Sequence, residues 1–261
     1  MLRRDFRMTI AQGEPERWWN LYGFSEPKDL ILEDLALARG VIVTEGPMEK
    51  MEARLLRSGD KGLIRVRQDI LEPGRKRFAI AHELGHWELH KDISQLFACT
   101  RDDMIASYKN SDTEGEANIF ASGLLMPSHL FQKQIEIAVF SLPTVRELAS
   151  YFLTSLTATS IRYVSLSQDY CAIVISENKK IKWWHASNAF KQLFRLSVGT
   201  DLSPNTIAGS FFLKGEKPMG PEEIDIEAWT QSSSSSDLST FIEESIYMQR
   251  YNKMLTLLRL P

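Results

Sequence analysis

The chain has 261 residues, 43% of them hydrophobic, which is enough to fill one large or two small cores and excludes disorder as the default state. Lys and Arg number 31 against 34 Asp and Glu, a net charge of -3 without the basic surplus by which nucleic-acid binders neutralise phosphates. Two cysteines, Cys99 and Cys171, exclude a disulfide framework, and the absence of a signal-like or membrane-length apolar run makes a cytoplasmic protein the expectation.

Residues 1–26 hold no convincing helix, and the first predicted one runs from Pro27 to Arg39, with Pro in its first turn and Gly40 after its end. Val41 to Thr44 reads as a strand. Glu52 to Arg57 and Leu63 to Gln68 flank the turn Ser58-Gly59-Asp60-Lys61-Gly62 and read as a hairpin beside that strand. After Pro73-Gly74 the helical period returns from Arg75 to about His90, apolar all round, as in a helix buried between a sheet and other helices. Asp112 to Met126 is a second such helix, stopped by Pro127, with Glu114, Ala117, Asn118, Ala121 and Leu125 on one face. Its two alanines permit close approach to another helix. Helices are expected again over Thr144 to Phe152 and Thr159 to Ser165.

Composition then turns toward strands: Tyr170 to Ser176, Lys180 to His185 across Glu177-Asn178-Lys179, and further candidates at Ser210 to Leu213, Ile224 to Trp229 and Ser245 to Met248. The tract Ser232 to Ser236 reads as a linker or loop. The fold class is α+β, with a first domain over 1–167 and a smaller α+β domain over 168–261. Trp183, Trp184 and Phe211 are candidates either for a small-molecule pocket in that second, sensory or regulatory domain, or for its core.

Of five histidines, His82, His86 and His90 fall within nine residues. His82-Glu83-Leu84-Gly85-His86 is an H-E-x-x-H run inside a predicted helix. Residues four apart on a helix share a face at about 6 Å along the axis, so two imidazoles converge on one Zn²⁺, while the Glu beside them reaches its water without being a ligand. A third protein ligand is required. His90 lies about 12 Å along the axis from His82 and is excluded from that ion, leaving it as a surface histidine. Asp92 stands where metzincins place a third His. Glu114 and Glu116 open the second helix about 200° apart on its wheel, so only one is expected to face the first helix, and Glu114 shares the small-residue face. Asp112 reads as a helix cap, and Asp102 and Asp103 as solvated loop carboxylates.

The segments Arg77 to His86 and Glu114 to Pro127, the latter reading E-G-E-A-N-I-F-A-S-G-L-L-M-P, resemble the ImmA/IrrE family of zinc metallopeptidases over about residues 25 to 165. The resemblance implies a zincin-like domain of sheet, H-E-x-x-H helix and helical bundle, with His82, His86 and Glu114 as gluzincin-like metal ligands and Glu83 as general base. It further implies Zn²⁺, with Mn²⁺ as an alternative activator, and a protein substrate: a helix-turn-helix repressor of the XRE type whose cleavage relieves repression in a stress or mobile-element response. Because too few residues precede the first predicted helix for a fused DNA-binding domain, the repressor is expected to be a separate chain. Tyr108 and His129 flank the ligand helix as candidate oxyanion donors, with nothing in the pattern to single out either.

Two other functions are compatible with the residues. Val145 to Phe152 followed by Thr154 to Arg162 has the outline of a DNA-binding helix-turn-helix, although its turn lacks Gly and Arg162 alone supplies positive charge to the second helix. A metal-bound regulator that holds a repressor without cutting it carries the same ligands.

Overall fold

The computed structural model describes residues 2–49, 51–91, 97–100, 112–230 and 238–261. Asp92, Asp102, Asp103, Tyr108 and the serine tract lie outside the described residues, as do the side chains of Cys99 and Asp112. The class is α+β, with two separate sheets. Among the described residues no helix is long and apolar enough to cross a membrane.

The chain forms two compact units, residues 1–131 with 149–155 and residues 132–148 with 156–261, a partition that differs from the division expected at 167/168. The first unit begins with α1 (Leu2–Tyr22), where no helix was expected. Its anchors are adjacent tryptophans, both buried. Trp18 meets Phe120 edge-on at 5.0 Å, and the Trp19 indole N–H donates to the Leu124 carbonyl at 2.8 Å, satisfying an acceptor in the last turn of another helix. The helix expected over Pro27 to Arg39 is split into a 3-10 turn at Pro27–Asp29 and α2 (Leu32–Ala38). Asp29 folds back on the amides of Ser25 and Glu26, closing its own turn before the α-helix starts.

The expected strand and hairpin are present as β1 (Val41–Gly46), β2 (Met51–Ser58) and β3 (Lys61–Arg67). With β4 (Phe97–Thr100) they form one sheet in the order β1-β3-β2-β4, β1 running parallel to β3 and the other pairs antiparallel. Ala53, Leu55, Ile64 and Val66 are buried, and α3 (Pro73–Leu89) packs on the sheet. Pro73 sits at the start of α3, where its fixed φ suits the first helical turn and its missing N–H costs nothing. Gly74 follows because a Cβ there would stand 2.4 Å from the Thr154 carbonyl carbon. On its other side α3 packs against α4 (Asp112–Leu125), which in turn packs on α1. Helices α5 (Ser128–Ile135) and α6 (Leu142–Tyr151) follow, and the division between the units runs through both.

The second unit contains α7 (Leu156–Leu166), β5 (Cys171–Glu177), β6 (Lys180–Ala186), α8 (Asn188–Leu193), α9 (Ile207–Lys214), β7 (Glu222–Asp225), β8 (Thr240–Met248) and β9 (Lys253–Arg259). Its antiparallel sheet has the order β6-β5-β9-β8-β7. Asn178 and Lys179 both have positive φ, 51° and 67°, the backbone of the tight hairpin turn read from the sequence. The strand expected at Ser210 to Leu213 is instead helix α9, and the one at Ile224 to Trp229 ends at Asp225 in a 3-10 turn. Phe190, Phe194, Phe241 and Trp229 fill the core, with Trp184 and Phe211 packed against it. Trp183 and Trp184 are consecutive in a strand and face opposite sides, so the three aromatics considered together do not line one pocket.

Adjacent glutamates in β8 use the same alternation. Glu243 accepts the Ala208 amide of α9 at 3.0 Å and the Trp229 indole at 2.9 Å, while Glu244 accepts the Leu142 amide of α6 at 3.0 Å. Each carboxylate thus satisfies the first turn of a helix. In the helix pair read as a possible helix-turn-helix, Thr159, Ser160, Tyr163 and Val164 of α7 are buried and Arg162 is partly so.

Candidate metal centre

Ten residues of α3 are buried, among them His82, Glu83, Gly85 and His86, so the helix presents its polar groups into the interior of the unit. Such groups are tolerated there only when partnered. The partner is α4, brought close because Gly85 has no side chain and Ala117 has a small one. A Cβ on Gly85 would lie 3.1 Å from the Cα and from the carbonyl oxygen of Ala117. Glu114 and Asn118, four apart on α4, face the histidines across this contact.

His82 Nε2 and His86 Nε2 are 3.0 Å apart, and each stands 3.2 Å from a different oxygen of Glu114. Ligand atoms at about 2.0–2.1 Å from a tetrahedral Zn²⁺ are about 3.3 Å from each other, a spacing close to that of the two Nε2 atoms and of each Nε2 from its own Glu114 oxygen. His82, His86 and Glu114 thus form a group that could hold a metal ion. Burial pulls the His86 imidazole down to about 4, with the neighbouring His82 and His90 adding to the effect, and keeps it neutral as a ligand must be. Burial also acts against a charged His82, but Glu114, Glu83 and Asn118 outweigh it and raise that pKa. Glu114 is held below its usual range by His82 and His86 despite its desolvation.

Outside this triangle, His82 Nδ1 is 2.8 Å from the Asn118 Oδ1. His86 Nδ1 is 2.9 Å from His90 Nδ1, and His90 Nε2 is 2.9 Å from Glu116 Oε2. Arg7 of α1 pairs with the other Glu116 oxygen at 3.1 Å. Two expectations are corrected here. His90 is not a surface histidine but is 1% exposed. Glu116 also faces the first helix, since it bonds to the residue that ends it. Measured from Ala117 at the helix contact, Glu114 stands about 60° to one side and Glu116 about 100° to the other, so the two straddle the contact and reach its opposite flanks.

His129, considered as an oxyanion donor, is engaged elsewhere: its Nδ1 is 2.5 Å from Glu16 Oε2, and Glu16 also accepts the Ser128 amide at the start of α5. Asn118, His90, Glu116 and Arg7 were not identified from the sequence as parts of the site. The four-residue spacings His86 to His90 and Glu114 to Asn118 were the available signal.

No curated protein matches the chain. Among solved structures it is similar to a Mycobacterium tuberculosis transcriptional regulator, at 17% identity and a TM-score of 0.64, over 98% of this chain and 80% of that one. The Peptidase M78 family, described as the IrrE N-terminal-like domain, matches residues 36–163. That stretch contains both histidine ligand candidates, Glu83 and Glu114, and across it the chain belongs to the IrrE N-terminal-like peptidase family, the ImmA/IrrE family its motifs resemble.

Proposed function

We propose that the protein is a zinc-dependent endopeptidase of zincin-like build that cuts an XRE-type helix-turn-helix repressor, supplied as a separate chain, and so relieves repression in a stress or mobile-element response. The observation that carries the reading is the triangle of His82, His86 and Glu114 at 3.0–3.2 Å with buried Glu83 next to His82. Two neutral imidazoles and a carboxylate suit Zn²⁺, with Mn²⁺ as the alternative, and leave one of four positions for chemistry. When bound, such an ion supplies Lewis acidity toward a water and a peptide carbonyl. Glu83, whose charge already acts on His82, takes the proton of the attacking water. It then passes that proton to the departing amine nitrogen as the C–N bond breaks. Strands β1 and β4 are the edges of the sheet, and an edge strand pairs with an extended peptide through its open backbone groups. Similarity to a solved transcriptional regulator supports a regulatory setting.

The test is incubation of the purified chain, with Zn²⁺ or Mn²⁺, with the repressor encoded beside it, comparing wild type with Glu83→Gln. Wild type is expected to cleave and Glu83→Gln to retain metal without cleaving. Cleavage by both, or by neither across metals and repressors, refutes the peptidase. A repressor bound but left intact identifies a non-cleaving metal-bound regulator. Salt-dependent duplex binding without cleavage identifies a DNA-binding factor.

A further inference from the structure

A neutral imidazole carries one proton, so each of its nitrogens either donates or accepts. For His86 to offer a lone pair at Nε2, where it faces His82 and Glu114, its proton must sit on Nδ1. That nitrogen is 2.9 Å from His90 Nδ1, and two such atoms bond only if one accepts, so His90 Nδ1 is the acceptor. The His90 proton is then on Nε2, 2.9 Å from Glu116 Oε2, which accepts as a carboxylate does. Arg7 balances that carboxylate from α1 across 3.1 Å. Each role follows from the one before it, from the ligand nitrogen outward to a charge on the rim of the unit.

Burial argues that this chain of contacts has a purpose beyond packing. His90 is 1% exposed and Glu116 is 2% exposed, and a well-packed apolar pair in their place would fold without desolvating a carboxylate. His82 Nδ1 meets the neutral amide oxygen of Asn118. His86 is instead linked through His90 to a carboxylate that Arg7 of α1 pairs with.

We propose that His90 and Glu116 are positioning residues that hold His86 in its Nδ1–H form with Nε2 free for the metal, and that Arg7 anchors them from α1. This rests on the metal-centre reading. Partners of this kind around a ligating histidine are worth about 10–100-fold in metal affinity.

The experiment compares full-length wild type, His90→Phe, His90→Gln and Arg7→Gln for Zn²⁺ affinity, by competition with a chromophoric chelator. Long-range ¹⁵N–¹H spectra of the histidines, recorded on the full-length proteins before zinc is added, report the tautomers. His90→Phe keeps a ring but neither donor nor acceptor, and is expected to lose about 10–100-fold in affinity and the single Nδ1–H pattern of His86. His90→Gln keeps one acceptor and one donor, and is expected to stay within about threefold of wild type, with Arg7→Gln between the two. Wild-type affinity and tautomer pattern in His90→Phe overturn the proposal, as does an equal loss in His90→Gln, which would make the role one of packing. Should His90→Phe fail to fold, Arg7→Gln decides: weaker zinc binding with unchanged circular dichroism supports the anchoring, and unchanged affinity overturns it. Failure of wild type to bind zinc at all removes the metal-centre reading and the proposal with it, a result distinct from normal wild-type binding with indifferent variants.

Discussion

Gly85→Ala tests whether the close approach of α3 and α4 is what assembles the metal centre. The added methyl would stand 3.1 Å from two backbone atoms of Ala117 and 3.2 Å from the Phe120 Cβ, whereas ordinary contact begins at 3.4 Å. Backbone cannot rotate away, so α4 must shift by a few tenths of an ångström. Alanine gains about 1 kcal/mol over glycine inside a helix, and overpacking costs about 1–3 kcal/mol, for a net loss of about 0–2 kcal/mol. The metal should suffer more than the fold. Glu114 lies one turn before Ala117 and moves with it, and metal–ligand distances tolerate only about 0.2 Å. We expect about a tenfold loss of zinc affinity, read by thermal melting in excess chelator and at matched free zinc. At 100 times the wild-type Kd zinc adds about 2.7 kcal/mol, and a tenfold weaker site gains only about 1.4 kcal/mol. A variant at least as stable as wild type in chelator, with the same zinc-induced gain, would refute the reasoning.

Glu114→Ala should emerge from dialysis nearly metal-free, because it removes a direct ligand, whereas Glu116→Ala should weaken binding by about 10–100-fold yet still load in excess zinc. Equal metal contents in the two would overturn the choice of ligand. Trp19→Phe should cost about 2–3 kcal/mol in denaturant unfolding, since it leaves the Leu124 carbonyl buried without its 2.8 Å donor and opens a small void; a loss under about 0.5 kcal/mol would show that α1 contributes little. Burial, with Lys191 adding to it, pulls the His185 imidazole down to about 4, against about 6.5 in the unfolded chain. The unfolded state therefore binds the extra proton, so this contribution to stability is complete above about pH 6.5 and is lost as pH falls toward 4, by about 3 kcal/mol. His185→Gln should show a correspondingly shallower loss of stability from pH 7 to 4.5, and parallel curves for the two proteins would contradict the assignment.

Elements whose burial follows a simple period were legible, and those whose burial does not were missed. The hairpin β2–β3 alternates and was expected, as was α3, which starts at Pro73 rather than after Pro73-Gly74 at Arg75. Helix α1 carries Pro15 inside it and buries two consecutive tryptophans rather than a spaced stripe, so no period marks it. Strand β9 has five consecutive buried residues from Met254 to Leu258, the continuous apolar run of a strand covered on both faces, and was not picked out. The run Phe211-Phe212-Leu213 suggested a strand, yet the boundary signals around it specify a helix: the Thr206 hydroxyl caps Gly209 at 2.9 Å, and Gly215 takes φ 76° at the other end. Caps outrank propensity when a segment is only four residues long.

The three candidate ligands were legible as a group because H-E-x-x-H is a property of one helix, and Glu114 needed only the face of a second. What surrounds them depends on where the helices touch. Axial distance set His90 apart from His82 but says nothing about burial, and Phe6 to Tyr22 had not been read as a helix that could bring Arg7 to Glu116. The angle between Glu114 and Glu116 was measured between the two residues, when the quantity that matters is the angle of each from the contact at Ala117. Net charge was similarly uninformative about the site. A total of -3 averages over the whole surface, while Glu83, Glu114 and Glu116 lie within four turns of two packed helices, with Glu83 and Glu116 almost wholly buried. Buried carboxylates cost several kcal/mol each unless cations answer them. Arg7 answers Glu116, while Glu114 stands 3.2 Å from His82 and His86. A divalent cation held by these three groups would answer the carboxylates that Arg7 does not reach, which would tie the stability of this helix pair to metal loading.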